Sequence, residues 1–314
     1  MSCRYVGVYC VGAVVASLLG DSTTAVQRIA EVQSIFDEAH KDSYALYDDF
    51  DAGRAGLLYA ASFLAKFYGT PGGVITRSSI VKVAQATVDR GIQLSTNPEM
   101  YLEWVSPNDG GRWLGTSHGS AGVLVQLLGV PELLEEGSMY RDMIVKTLDH
   151  IVANQFPSGN FPSEYYEVDE DVLVQWDHGA PGVLGALVKA AHVLQEDTYL
   201  DSAHRAADCV WERGLLYKGL QLCHGIVGNT YMQIFMYKYT AEEKYMYRAL
   251  QFQEFVRSMP ELYDVALMRY PTPNPYGFYI GSFESSIMLW TDLLAVSDQE
   301  DFLGLSMPGY DDRI

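Results

Sequence analysis

Apolar residues along this chain recur at intervals of three and four, the period of a helix face, and no convincing series of alternating strand positions appears. In Tyr199–Trp211 the residues Leu200, Ala203, Ala207 and Val210 line one side of such a helix. The stretch before it, Val183–Leu194, reads VLGALVKAAHVL and is apolar nearly all round; a polar turn, Gln195-Glu196-Asp197, separates the two. A helix apolar on every side belongs to an interior, and an amphipathic one belongs outside it. The pattern therefore predicts helical hairpins, each with an inner and an outer member.

A repeated glycine pair opens the inner helices. It reads GRAG at Gly53–Gly56, HGSAG at His118–Gly122, HGAPG at His178–Gly182 and HGIVG at His224–Gly228, with closing glycines 66, 60 and 46 residues apart. Those spacings suit one hairpin per unit, and a ring of hairpins closing into an all-α, α/α toroid satisfies them. Glycines at such starts allow tight turns with positive φ and close approach of helix N-termini, which offer free N–H groups to a shared centre. Taken one at a time, a glycine pair is better explained by close helix packing alone; four in register favour a shared central site. Long irregular stretches at Tyr101–Trp113, Gln155–Val174 and Ser258–Gly281 are where binding residues tend to sit. None reads as an interdomain linker, so residues 1–314 are expected to form one domain.

Composition narrows the function. With 48% hydrophobic and 19% charged residues the chain has the balance of a globular protein. A formal charge of −19 argues against nucleic acid and anionic membrane surfaces as partners. Four cysteines are too few for a disulfide-stapled fold, and a cytoplasmic setting is expected. The opening MSCRYVGVYCVGAVVASLLG has features of a signal peptide, but an interior helix of the fold is the favoured reading. No apolar run elsewhere is long enough for a transmembrane segment.

Three of the four glycine motifs begin with histidine. In one of them the histidine follows a cysteine, so Cys223-His224 can offer a thiolate and an imidazole together to a divalent metal. The equivalent position before His178 holds Asp177, an oxygen donor. The plain alternative is a buried cysteine beside a structural histidine. His118 is the candidate for proton transfer, with a hydrogen bond to a loop carbonyl as its alternative role; His178 reads as a brace for its turn.

The segments WLGTSHGSAG, FPSGNFP, VLVQWDHGAPGV, GLLYKGLQLCHGIVGN and KYMYRA resemble the eukaryotic branch of the LanC-like (lanthionine synthetase C-like) proteins, from about Phe50 to Trp290. The resemblance implies a toroid of seven inner and seven outer helices. Here about six hairpins are expected, because the chain starts near the family's second repeat and the N-terminal repeat is not seen; an apolar flank should then lie bare. It also implies zinc, held by Cys223, His224 and Asp177, with Asp177 standing where the family has a cysteine. That exchange is expected to weaken zinc binding. His118 matches the family's catalytic histidine, and Lys218 and Arg269 match basic residues associated with glutathione. Glu284 falls in a last motif that has lost its glycines.

The activity implied is addition of the glutathione thiol to dehydroalanine or dehydrobutyrine residues of a peptide or protein, making the chain an enzyme of C–S bond formation. A non-catalytic glutathione-binding protein is the alternative that Asp177 favours. An α/α-barrel carbohydrate enzyme using carboxylates such as Asp49, Asp51, Glu103 or Glu164 is a remote third.

Overall fold

The computed structural model describes residues 5–41, 47–69, 74–106, 108–166, 170–216 and 218–258, together with Leu289 and Leu293. Every long element among them is helical, as the periodicity predicts. The helices are α1 (Val6–Leu18), α2 (Ser22–Ala39), α3 (Arg54–Tyr68), α4 (Arg77–Leu94), α5 (Ser120–Leu127) and α6 (Met139–Ala153), then α7 (Ala180–Leu194), α8 (Asp197–Arg213), α9 (Ile226–Thr240) and α10 (Glu243–Ser258). Among the described residues no helix is long and apolar enough to cross a membrane.

The described chain divides into two compact units. One runs to Trp113 and resumes from His118 to His150; the other takes Leu114–Ser117 and everything from Ile151. In the first, α1 packs on α2 and α3 on α4, while α3 also touches α1 and α5. In the second, α7 packs on α8 and α9 on α10, and α7 meets α9. Consecutive pairs thus stack through their first members.

The glycine repeat has a common backbone purpose. Gly53, Gly119, Gly179 and Gly225 are the N-caps of α3, α5, α7 and α9. In three of these turns the first helical amide donates to a carbonyl seven residues upstream: Arg54 to Tyr47 at 2.9 Å, Ser120 to Trp113 at 3.0 Å and Ile226 to Gly219 at 3.1 Å. At α7 the amide of Ala180 turns instead to Oδ1 of Asn160, at 2.7 Å. The second glycine of the pair lies against another carbonyl. A Cβ would meet the oxygen of Phe50 at 2.4 Å from Gly56, that of Trp176 at 2.7 Å from Gly182 and that of Leu222 at 2.0 Å from Gly228. Positive φ, the expected reason for these glycines, applies at Gly179 (φ 81°) but not at Gly53, Gly119 or Gly225. Close approach of backbone to backbone is the general cause, and it folds each lead-in loop onto its own helix.

Burial separates inner from outer helices. α7 is buried at every position from Ala180 to Ala190 and α9 from Ile226 to Met236, whereas α8 buries a single face through Tyr199, Ala203, Ala206, Ala207 and Val210. Each fully buried Leu, Val or Ile contributes about 1.5–3 kcal/mol, so these inner helices are where the core draws its stability. The buried amide nitrogens of two polar residues on α9 are bonded to backbone carbonyls of the surrounding elements. Nδ2 of Asn229 donates to the carbonyls of Val174 and Gly214, both at 3.0 Å, and Nε2 of Gln233 donates to Ala207 at 2.8 Å. α1 departs from its inner-type sequence: Val8, Val11, Val15 and Leu18 form an exposed apolar stripe, while Val6, Cys10, Ala13 and Ala16 face inward. Burial pushes the thiol of Cys10 up to about 12 and that of Cys209 up to about 11.

Candidate functional site

Two clusters of chemically active side chains sit at the lead-in turns, one in each unit. The first centres on His118, the residue before the N-cap of α5. Its Nδ1 lies 2.7 Å from Oδ2 of Asp49, a carboxylate whose side chain is almost wholly buried. Oδ1 of Asp49 accepts the amide of Ala52 at 3.0 Å, so the carboxylate cannot turn away. On the other side of the ring, Nε2 lies 3.1 Å from Nδ2 of Asn108 and 3.6 Å from Oδ2 of Asp51. With a carboxylate at Nδ1 and an amide donor at Nε2, the ring in its neutral form carries its proton on Nδ1. Nε2 is then the basic nitrogen, and an imidazolium formed there is stabilised by Asp49 from behind.

Asp49 itself is positioned by its neighbour. Asp48 pairs with Nη1 of Arg54 at 2.6 Å, and Nε of Arg54 donates to the carbonyl of Ala39 at 2.8 Å, which pins the start of α3 to the end of α2. Glu103 serves the scaffold, accepting from the amide and hydroxyl of Thr96 and from Nε of Arg112, at 3.0, 3.0 and 2.9 Å.

The second cluster stands on the lead-in turns of α7 and α9. Residues 175–178 form a tight turn closed by reciprocal backbone bonds of 2.9 Å between Gln175 and His178. The amide of Asp177 donates to the carbonyl of Cys223 at 3.1 Å and clips this turn to the one before α9. Gly115 makes room for it, since a Cβ there would lie 1.6 Å from the carbonyl oxygen of Asp177. Oδ2 of Asp177 is 3.2 Å from Nε2 of His224 and 3.3 Å from Nε2 of His178. Ligand atoms of Asp177, His178 and His224 all lie within 4.8 Å of one another, a spacing able to hold a metal ion. Sγ of Cys223, itself buried, is 3.8 Å from Nε2 of His224.

Lys218 lies close by. Its Nζ donates to Oε1 of Gln175 at 2.8 Å. Desolvation lowers its pKa from the ordinary lysine value, against the opposing pull of Asp177 and Cys223. A half-buried ammonium of this kind can pair with a carboxylate. Arg269 and Glu284 lie outside the described residues.

Of the residues singled out from sequence, Asp177, Cys223, His224 and Lys218 therefore come together in one unit, and His118 is described in the other. His178, read as a brace, joins Asp177 and His224 as a donor. Asp49 and Asn108 are partners of His118 that sequence reasoning misses, because nothing in the spacing of a DDFD stretch or of a loop asparagine ties them to a histidine distant in sequence. His178 has a visible signal: it holds the same place before its N-cap as His224 does.

The family model described as lanthionine synthetase C-like protein matches residues 5–282. The chain is 31% identical over 217 residues to a Danio rerio protein named glutathione S-transferase LANCL1, covering 67% of this chain and 51% of that protein. It is 30% identical over 318 residues to LanC-like protein GCL1 of Arabidopsis thaliana, covering 98% of this chain and 69% of that one. It thus spans about half the length of the Danio rerio relative. Among solved structures, nisin cyclase superposes with a TM-score of 0.66 at 14% identity, over 100% of this chain and 82% of that one. That likeness shows the fold, the α/α toroid.

Proposed function

The chain belongs to the lanthionine synthetase C-like family, and from that premise we propose that it binds glutathione and adds its thiol to dehydroalanine or dehydrobutyrine residues of a peptide or protein. The observation that carries the reading is the group of metal donors at Asp177, His178 and His224, with the thiol of Cys223 3.8 Å from His224; the imidazole of His118, oriented by Asp49, is proposed for the proton. The donor set suits zinc, which takes imidazole nitrogen, carboxylate oxygen and thiolate sulfur. Asp177 and His224 would hold it with one further donor, Cys223 or His178. Zinc held by these residues would supply ionisation of a thiol at neutral pH, giving the thiolate that acts as nucleophile.

The addition balances as follows. The thiol proton leaves to solvent, the thiolate forms a bond to the β-carbon, and the double-bond electrons move to the adjoining carbonyl as an enolate. Nε2 of His118, charged by an equivalent proton, delivers it to the α-carbon, and Asp49 stabilises the imidazolium before that step. Asn108 holds the ring at Nε2 until substrate displaces it. Lys218 supplies the cation for a glutathione carboxylate. Arg269 is proposed for the same role.

The test is mass spectrometry of a dehydroalanine peptide incubated with glutathione and the protein. An increment of one glutathione is expected, lost in His118→Ala and in His224→Ala. Glutathione binding without any adduct would favour the non-catalytic alternative, which the carboxylate at position 177 supports. Absence of glutathione binding would refute both.

A further inference from the structure

Resting on the metal-site reading above, we propose that His178 is a metal ligand, so that the ion is held by Oδ2 of Asp177 and the Nε2 atoms of His178 and His224, with the thiol of Cys223 outside the ligand set. The case is geometric. Zinc bonds of ~2.0–2.1 Å to nitrogen and oxygen at tetrahedral angles place neighbouring donors ~3.3 Å apart. Oδ2 of Asp177 stands 3.3 Å from the imidazole nitrogen of His178 and 3.2 Å from that of His224, the separations of two such edges. Both exceed the ~2.7–2.9 Å of a charge-assisted N–H to carboxylate hydrogen bond. His118 and Asp49, at 2.7 Å, show that the same residue types make such a bond elsewhere in this protein.

The two rings also converge. Their centroids are 6.3 Å apart and their planes inclined by 47°, with the Nε2 atoms 3.3 and 3.2 Å from the same carboxylate oxygen. The cause lies in the repeat: His178 and His224 each precede the N-cap glycine of neighbouring inner helices, and the bond from the Asp177 amide to the Cys223 carbonyl holds the two turns together. Cys223 does not join the group whose donor atoms all lie within 4.8 Å of one another. A carboxylate and two imidazoles form a three-ligand set that leaves a position open for an incoming thiol. Without a thiolate the set is also harder, so it takes zinc and cobalt and discriminates less against other divalent first-row ions.

The full chain is loaded with Co²⁺ and titrated with Zn²⁺ against a chromophoric chelator, without glutathione. The wild-type cobalt protein should show visible ligand-field bands but no near-ultraviolet thiolate-to-cobalt band, and two exchangeable, paramagnetically shifted imidazole N–H signals. Cys223→Ala should keep metal affinity within about threefold. His178→Gln should weaken it by more than the ~10–100-fold typical of a group that only supports a ligand. One shifted imidazole signal in wild-type protein, or a thiolate band that vanishes in Cys223→Ala, overturns the assignment and leaves the metal site standing with Cys223 in it. An affinity in folded His178→Gln within tenfold of wild type does the same. If wild-type protein binds neither ion, the metal site and this ligand set fall together, while the glutathione-binding assay reports separately on the rest of the proposed function.

Discussion

Replacing Asp49 by Asn isolates one charge at the proton-transfer site. The amide keeps the size of the carboxylate and can still accept from the amide of Ala52, so the turn before α3 should survive. What is lost is the attraction between Asp49 and the imidazolium of His118, whose Nδ1 lies 2.7 Å from the carboxylate oxygen. Charge centres about 4 Å apart interact by about 4 kcal/mol at an effective dielectric constant of about 20. The His118 side chain is 21% exposed, so solvent recovers part of this. A net loss of about 2 kcal/mol corresponds to roughly a thirtyfold smaller fraction of His118 in the charged form that donates the proton, and up to that loss in the rate of adduct formation. The assay is the rate of glutathione adduct formation on a dehydroalanine peptide at saturating substrate, with zinc content measured on the same preparations. An imidazole ¹H–¹⁵N correlation should show the Nδ1–H tautomer in the wild type and a mixed population in Asp49→Asn. A rate within threefold of wild type with metal content unchanged would refute the role given to Asp49. So would a loss of rate that follows loss of metal.

The remaining predictions concern the scaffold. With thiols raised to about 12 and about 11, Cys10 and Cys209 should resist iodoacetamide in the native protein, because fewer than about one in a thousand is thiolate near neutral pH. Peptide mapping that finds either labelled before unfolding contradicts this. Gly228→Ala should destabilise by about 3 kcal/mol or more, since the new methyl meets the Leu222 carbonyl oxygen at 2.0 Å. Gly7→Ala, with nothing within 4 Å in α1, should stabilise by about 0.5–1 kcal/mol, and thermal melts decide both. Against desolvation, which raises it, hydrogen bonds from Ser158, Arg213 and Asn160 hold Asp171 below the ordinary 3.8. A depressed carboxylate stabilises the fold above pH 3.8 and loses that contribution as pH falls through its folded value. Asp171→Asn should therefore cost about 1 kcal/mol at pH 7 and flatten the acid limb below about pH 3.8, in denaturant titrations at several pH values.

The linear pattern alone determined the helices, their pairing and, at α7 and α8, which member is inner and which outer, whereas α1 carries an inner-type sequence with an exposed apolar stripe. Each of these depends on residues within a few turns of one another: apolar positions at three and four, polar turns, and glycines at helix starts. It also carried the family, because the glycine motifs are contiguous strings. The physical reason for those glycines was only half legible. A carbonyl six residues upstream is a tertiary fact, and no propensity scale separates a glycine needed for positive φ at position 179 from one needed for close approach at 228.

The chemistry divides along the same line. Cys223 and His224 are adjacent in sequence, so their nearness needed no fold. Asp49 reaches His118 across 69 positions, and the Asp177 turn reaches Cys223 through a backbone hydrogen bond between loops. Such contacts are set by how the inner helices stack, which no local window contains. Sequence by itself determined which side chains could act; the tertiary structure decided that His118 has a buried carboxylate behind it. It also decided that His178 stands beside His224 at Asp177, because hairpins of the same design place equivalent residues at equivalent corners.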